Sequence, residues 1–325
     1  MGWHSRARAG CSQLQIARTS RTELPRSAGF AVVLFLLCAG LSPAQQNAPA
    51  ANPARPTVSN PATLPPVGYL QFEQGYLGSL DSPGTPSQYG INQTTKVALA
   101  SRLMLEMQNQ PFARSRVSGD ASSSNAAGDT LLGGQIVLYL SPSAPAETNN
   151  PASPQPRHTI ARPTIALGYL GRVHSGSTPD TDQGSLSNSV LLLISGDVGQ
   201  FHYDTNYIAN EQSESDPIAN SIATRTRRRT QFAQTLSVSH PLTSALQISG
   251  ELYHFSQPFI STDDDGRSIE RANLVDGLMA LSYTLRPNLV LDGGFSRGFT
   301  STSTRWQSFA GFTYLLPRRL WPGKS

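Results

Sequence analysis

Lysine is nearly missing from this chain: its 325 residues contain two, Lys96 and Lys324. A basic face for nucleic acid must therefore be built from arginine, and the arginines are in the wrong place for it. Arg6, Arg8, Arg18, Arg21 and Arg26 precede the apolar stretch Phe30 to Leu37, and with Glu23 they account for the whole formal charge of +4. The rest of the chain is near neutral, which excludes a nucleic-acid partner. Cysteine is as scarce, and Cys11 and Cys38 both fall in the same N-terminal region. Also missing are a Gly-x-Ser-x-Gly elbow, a His-Glu-x-x-His pair and a phosphate-binding glycine loop, so no enzyme class announces itself.

What is present begins with export. The Arg-rich start, the apolar stretch and the small residues Ser42-Pro43-Ala44 make a secretory signal, cleaved after Ala44. The stretch is too short to span a bilayer as a helix. Cys38 follows Leu36 and Leu37 and lacks the small residue expected before a lipidated cysteine, which argues against a lipoprotein. Cleavage removes both cysteines and with them any disulfide or thiol chemistry. Gln45 to Pro66 is rich in Ala, Pro and Asn without apolar period, and is expected to be a disordered lead-in. The expected plan is a signal peptide over 1–44, a linker over 45–66, one domain over 67–316 and a tail over 317–325.

Within that domain apolar and polar or small residues alternate in long segments. Leu289, Leu291, Phe295 and Phe299 share one face against Asp292, Gly294, Ser296 and Gly298, and Trp306, Phe312, Tyr314 and Leu316 oppose Gln307, Gly311 and Thr313. Segments of this kind number twelve, an even count. They include Ser87 to Ile91 and Lys96 to Gln108, with Asn92-Gln93-Thr94-Thr95 read as the turn between them. Further turns are expected at Gly196 to Gly199, Pro241 to Ser244 and Arg286 to Asn288, and longer polar connections lie between most of the hairpins. Short turns at one end and long loops at the other predict a transmembrane, antiparallel up-and-down β-barrel of the outer-membrane type, all-β in class. A soluble β-sandwich would alternate as well. The nearly uncharged apolar faces, the aromatics near strand ends and the need to close so many long edges favour the membrane.

The run Ser282-Tyr283-Thr284-Leu285-Arg286-Pro287-Asn288-Leu289-Val290-Leu291-Asp292-Gly293-Gly294 resembles the family called putative MetA-pathway of phenol degradation. So do the closing Phe309-Ala310-Gly311-Phe312-Thr313-Tyr314 and Leu167-Gly168-Tyr169 leading to Ser175-Gly176-Ser177-Thr178-Pro179. The resemblance spans roughly Gly68 to Leu316. It implies an outer-membrane barrel that passes small solutes, aromatic or hydrophobic ones among them, and brings no binding residues with it. Here Pro317 to Ser325 follow the last strand, where many outer-membrane barrels end on an aromatic, and Trp321 is a candidate for a displaced terminal aromatic.

Alternation assigns side chains to the lumen: Arg102, Glu106, Arg172, His174, His202, Asp204, Asn206, Glu251, Tyr253, Asp276 and Asp292. Such a lumen carries both charge signs. These groups either pair off in a plugged interior or line a hydrated path. Tyr283, Phe299, Trp306, Phe312 and Tyr314 are the expected aromatics of the membrane interface. Expected partners are outer-membrane lipid and lipopolysaccharide, the outer-membrane assembly machinery and small-molecule solutes, in a Gram-negative outer membrane. Arg225, Arg227, Arg228 and Arg229 are placed in a long loop, as a solvated face or a site for lipopolysaccharide phosphates. His202 and Asp204 on one strand face are a hydrolase possibility without a nucleophile. Asp263-Asp264-Asp265-Gly266 lacks the glutamate that would complete a calcium loop, so neither metal nor cofactor is expected.

Overall fold

The computed structural model describes residues 49–82, 85–116, 123–141, 163–173, 175, 186–217, 224–263 and 266–321. The expected signal peptide, His174 and the Asp264-Asp265 pair lie outside these residues. The elements are strands throughout: β1 (Leu70–Ser82), β2 (Thr85–Ala100), β3 (Leu103–Arg116), β4 (Ser123–Ala126), β5 (Thr130–Tyr139), β6 (Thr164–Val173), β7 (Leu186–Val198), β8 (Phe201–Pro217), β9 (Thr224–Pro241), β10 (Leu246–Asp263), β11 (Gly266–Arg286), β12 (Leu289–Gly298) and β13 (Trp306–Leu315).

Consecutive strands pair antiparallel, except that β5 pairs with β3 rather than β4, and β1 closes the ring against β13. Strands β4 and β5 pair with successive parts of β3 and act as one stave. The result is a closed barrel of twelve staves. The turns at Ser101-Arg102, Gly199-Gln200, 242–245 and Pro287-Asn288 all lie at one end of it.

Period-two alternation explains why these residues form a wall. Along β1, Gln71, Glu73 and Ser79 are buried inside while Tyr76 and Leu80 are exposed outside. Leu105, Leu132, Ile136, Tyr169, Val190, Tyr207, Phe232, Leu236, Leu252, Met279, Leu281, Tyr283 and Phe295 continue the exposed apolar face around the barrel. Apolar surface this extensive needs hydrocarbon rather than water against it. Among the expected interface aromatics, Tyr283 and Tyr314 lie near the short-turn end, and Phe299 and Trp306 near the other. Phe312 faces outward on β13, one residue beyond Gly311. Arg297 caps the Trp306 ring at 5.1 Å.

The first hairpin differs from the sequence expectation. Asn92 to Thr95 lies in the middle of β2, and the chain reverses at Ser101-Arg102 instead. A polar Asn-Gln-Thr-Thr run has the composition of a turn, but a strand facing a polar lumen tolerates it equally. Strands β8 to β11 also run longer than expected. Positions 225–229, expected in a loop, belong to β9, and most of Pro258 to Arg271 belongs to the β10–β11 hairpin. A membrane strand needs only about 9–11 residues. The 21 residues of β11 therefore carry the wall well past the apolar band.

Candidate functional site

Residues 49–66, expected to be a disordered linker, are ordered and cross the inside of the barrel. The segment carries six prolines, Pro49, Pro53, Pro56, Pro61, Pro65 and Pro66, which donate no backbone hydrogen bond and favour extended conformations. That composition suits a linker in water. It suits equally a strand-free segment in a polar cavity, because fewer N–H groups then need partners.

The wall meets the remaining donors one by one. The Asn52 amide donates to Gln71 Oε1 at 2.9 Å on β1, and that of Ala54 to Glu73 Oε1 at 3.3 Å. Glu251 on β10 accepts from the Val58 and Ser59 amides at 2.7 Å each and from Ser59 Oγ at 2.6 Å. Ser59 Oγ also contacts Thr235 Oγ1 on β9 at 2.7 Å. Asn206 on β8 closes a reciprocal pair with Asn60, accepting its amide at 2.6 Å and donating to its carbonyl at 2.9 Å. Ser195 on β7 accepts the Ala62 amide at 2.6 Å, and Gln135 on β5 donates to the Pro61 and Ala62 carbonyls. Ala62 and Leu64 then pack on an apolar patch of Val137, Ala166, Leu191 and Leu193. A segment bonded to β1 and β12 on one side of the ring and to β7 and β8 on the other is a plug.

Arg55 is its charged anchor. The guanidinium meets Asp292 through Nη2 at 3.1 Å and Nε at 3.2 Å, and the Asp292 side chain is 1% exposed. It lies over Gly75 and Gly311, which face each other across β1 and β13. A Cβ on Gly75 would sit 2.2 Å from Arg55 Cζ, and one on Gly311 would sit 2.8 Å from Nε, so only glycine leaves the bed flat. Beside it Lys96, the one lysine among the described residues, pairs with Glu73 at 2.8 Å with both side chains buried. Neither Arg55 nor Lys96 was singled out from the sequence. Their partners are brought together only by the closed barrel.

The plug separates two cavities. One, of about 380 Å³, lies towards the end opposite the short turns and is lined by Asn92, Gln93, Gln108, Asn109, Gln110, Asp129 and Arg172. The other, of about 310 Å³, lies towards the short-turn end and is lined by Arg55, His202, Asp204, Gln247, Ser282 and Thr284. Both linings are dominated by carboxamides, hydroxyls and paired charges.

Nine of the eleven residues expected to line the lumen fall into three groups. Asp204, Asn206, Glu251, Tyr253, Asp276 and Asp292 are buried on the inner face. Glu106 accepts from Gln108 Nε2, and Arg172 pairs with Asp129. His202 sits near the short-turn rim, 2.7 Å from Asp197 and 3.4 Å from Asp204. Arg102 is a correction: it lies exposed in the turn between β2 and β3, because the strand assumed to carry it through the wall is two strands. Tyr253 packs with Leu278 and Ala280 rather than reaching the plug. As for hydrolysis, Ser195 is bonded to Asp204, which stands between it and His202, and its oxygen already accepts the Ala62 amide.

A family model described as Putative MetA-pathway of phenol degradation matches residues 54–316, a span that takes in the plug from Ala54 onward. The COG4313 outer membrane channel from Pseudomonas putida F1 is similar in structure, with a TM-score of 0.52 and 14% identity over 80% of this chain and 100% of that one. NanC porin is similar at a TM-score of 0.45 and 10% identity, over 75% of this chain and 98% of that one. None of the curated proteins matches the chain.

Proposed function

Since the chain belongs to the family described as Putative MetA-pathway of phenol degradation, we propose that it is an outer-membrane channel for small solutes, held closed by residues 49–66. One observation carries the reading: the lumen is polar on both sides of a single crossing segment that is held mainly by hydrogen bonds. A barrel built only as a scaffold has no use for two polar-lined chambers, whereas a channel needs both. With the short turns periplasmic, the plug sits in the periplasmic half, and its wall acceptors lie one to six residues from the short-turn ends of their strands. The apolar outer face is the surface for lipid, and the strand extensions beyond it are where lipopolysaccharide would be met.

The finer expectation, aromatic or hydrophobic solutes, fits such a lining when the solute also carries hydroxyl or carbonyl groups. Amide-lined walls bind those groups and offer little to bare hydrocarbon. The competing reading is a permanently closed barrel, favoured by the buried Lys96–Glu73 pair that braces the wall beside the plug. Single-channel recording in planar bilayers separates the two. The intact protein should open rarely, and a variant lacking residues 49–66 should give discrete, long-lived steps. A deletion variant that retains full β-sheet content yet stays silent would overturn the channel.

A further inference from the structure

The contact between Arg55 and the wall has a shape of its own. Asp292, Gly311 and Gly75 stand side by side on β12, β13 and β1, since Asp292 pairs with Gly311 and Gly311 with Gly75. Two adjacent staves thus present bare backbone to the lumen where their neighbour presents a carboxylate. The gap is flat, as wide as two staves, and closed at one edge by an anion. A guanidinium matches each of these properties: it is planar, weakly hydrated, and offers N–H groups along its edge to a carboxylate. An ammonium is compact and strongly hydrated, and it uses neither the flatness nor the width.

The carboxylate is also costly to leave alone. The Asp292 side chain is almost fully buried, and the nearby Lys96 is committed to Glu73. When Arg55 departs with the plug, Asp292 loses its cation and a buried carboxylate is left short of partners. The slot opens on the cavity at the short-turn end, where Arg55 itself forms part of the lining alongside Ser282, Thr284 and Val290. That cavity can hold a small molecule.

The geometry points to a guanidinium-binding site of the open channel, formed by Asp292, Gly311 and Gly75, which the chain's own Arg55 occupies in the closed state. Solutes carrying a guanidinium group are held there in transit. The inference rests on the plug-gated channel and names one class of solute that such a channel selects.

The test uses the full exported chain with Arg55→Ala, which empties the slot and leaves the rest of the plug in place. In planar bilayers, methylguanidinium added on the short-turn side should block the current at a concentration roughly tenfold lower than methylammonium. Adding Gly75→Ala, whose methyl group would stand in the space that the Arg55 guanidinium vacates, should erase that preference. Equal block by the two cations would overturn the site. Calorimetric titration of the Arg55→Ala protein in detergent reads binding without conduction. If the Arg55→Ala protein binds methylguanidinium but neither it nor the variant lacking residues 49–66 passes current, the channel reading fails and the slot stands. If it conducts but binds the two cations alike, the slot fails and the channel stands. Should the double variant not fold, Asp292→Asn on the Arg55→Ala background gives the same loss of preference by removing the anion.

Discussion

Glu251→Gln should unlatch the plug. The carboxylate of Glu251 accepts three hydrogen bonds from Val58 and Ser59, all between 2.6 and 2.7 Å. Bonds to a charged partner contribute about 1.5–3 kcal/mol each, against about 1 kcal/mol between neutral groups. The amide keeps one accepting oxygen and turns an NH₂ group towards a backbone donor. One bond is therefore lost outright and the other two fall to neutral strength. The plugged state is weakened by roughly 2.5–7 kcal/mol, which shifts the closed–open balance by about two to five powers of ten. Open probability in single-channel recordings reads this directly. A second readout comes from chemistry: no cysteine follows Cys38, so Ala62→Cys introduces one thiol at a fully buried plug position. Its modification by a membrane-impermeant maleimide should accelerate by the same factor in the Glu251→Gln background. Unchanged open probability together with unchanged labelling would refute the latch.

Lys96→Met should lower the unfolding temperature clearly, because it strands the buried Glu73 at a cost of about 3–5 kcal/mol; adding Glu73→Gln should recover most of the loss, as thermal melts in detergent would record. Leu281→Arg, on the exposed outer face, should impair folding into lipid vesicles by about 2–4 kcal/mol, measured by urea titration of the folded fraction. Arg102→Gln should leave conductance and ion preference as they are, since the residue lies in an outward turn; a changed reversal potential would contradict that placement.

The wall was legible from the sequence because a membrane barrel writes its two faces into alternate residues. Gly311, Phe312, Thr313 and Tyr314 illustrate it: each step changes side, and the structure follows. The pattern fades along Pro258 to Arg271, where apolar and polar residues no longer alternate in the sequence. The β2–β3 turn was hidden for a different reason. Ser101-Arg102 contains neither glycine nor proline, whereas the polar run Asn92 to Thr95 imitates a turn from mid-strand. The inner-face carboxylates Glu251 and Asp292 could be placed by parity alone. Their role could not, because the groups they hold belong to a segment whose prolines speak of a linker and whose partners are remote. Asn52 bonds within 19 residues of itself, Ser59 reaches 192 residues along the chain and Arg55 reaches 237.

Those separations also bear on the order of folding. Contacts between distant parts of a chain form slowly, because the intervening loop must first be closed. The plug precedes β1, yet its partners run through to β12, so its docking surface is not complete until nearly the whole ring stands. The segment synthesised ahead of every strand is consequently the last to settle. On this ordering the barrel closes around an empty lumen and is stoppered afterwards.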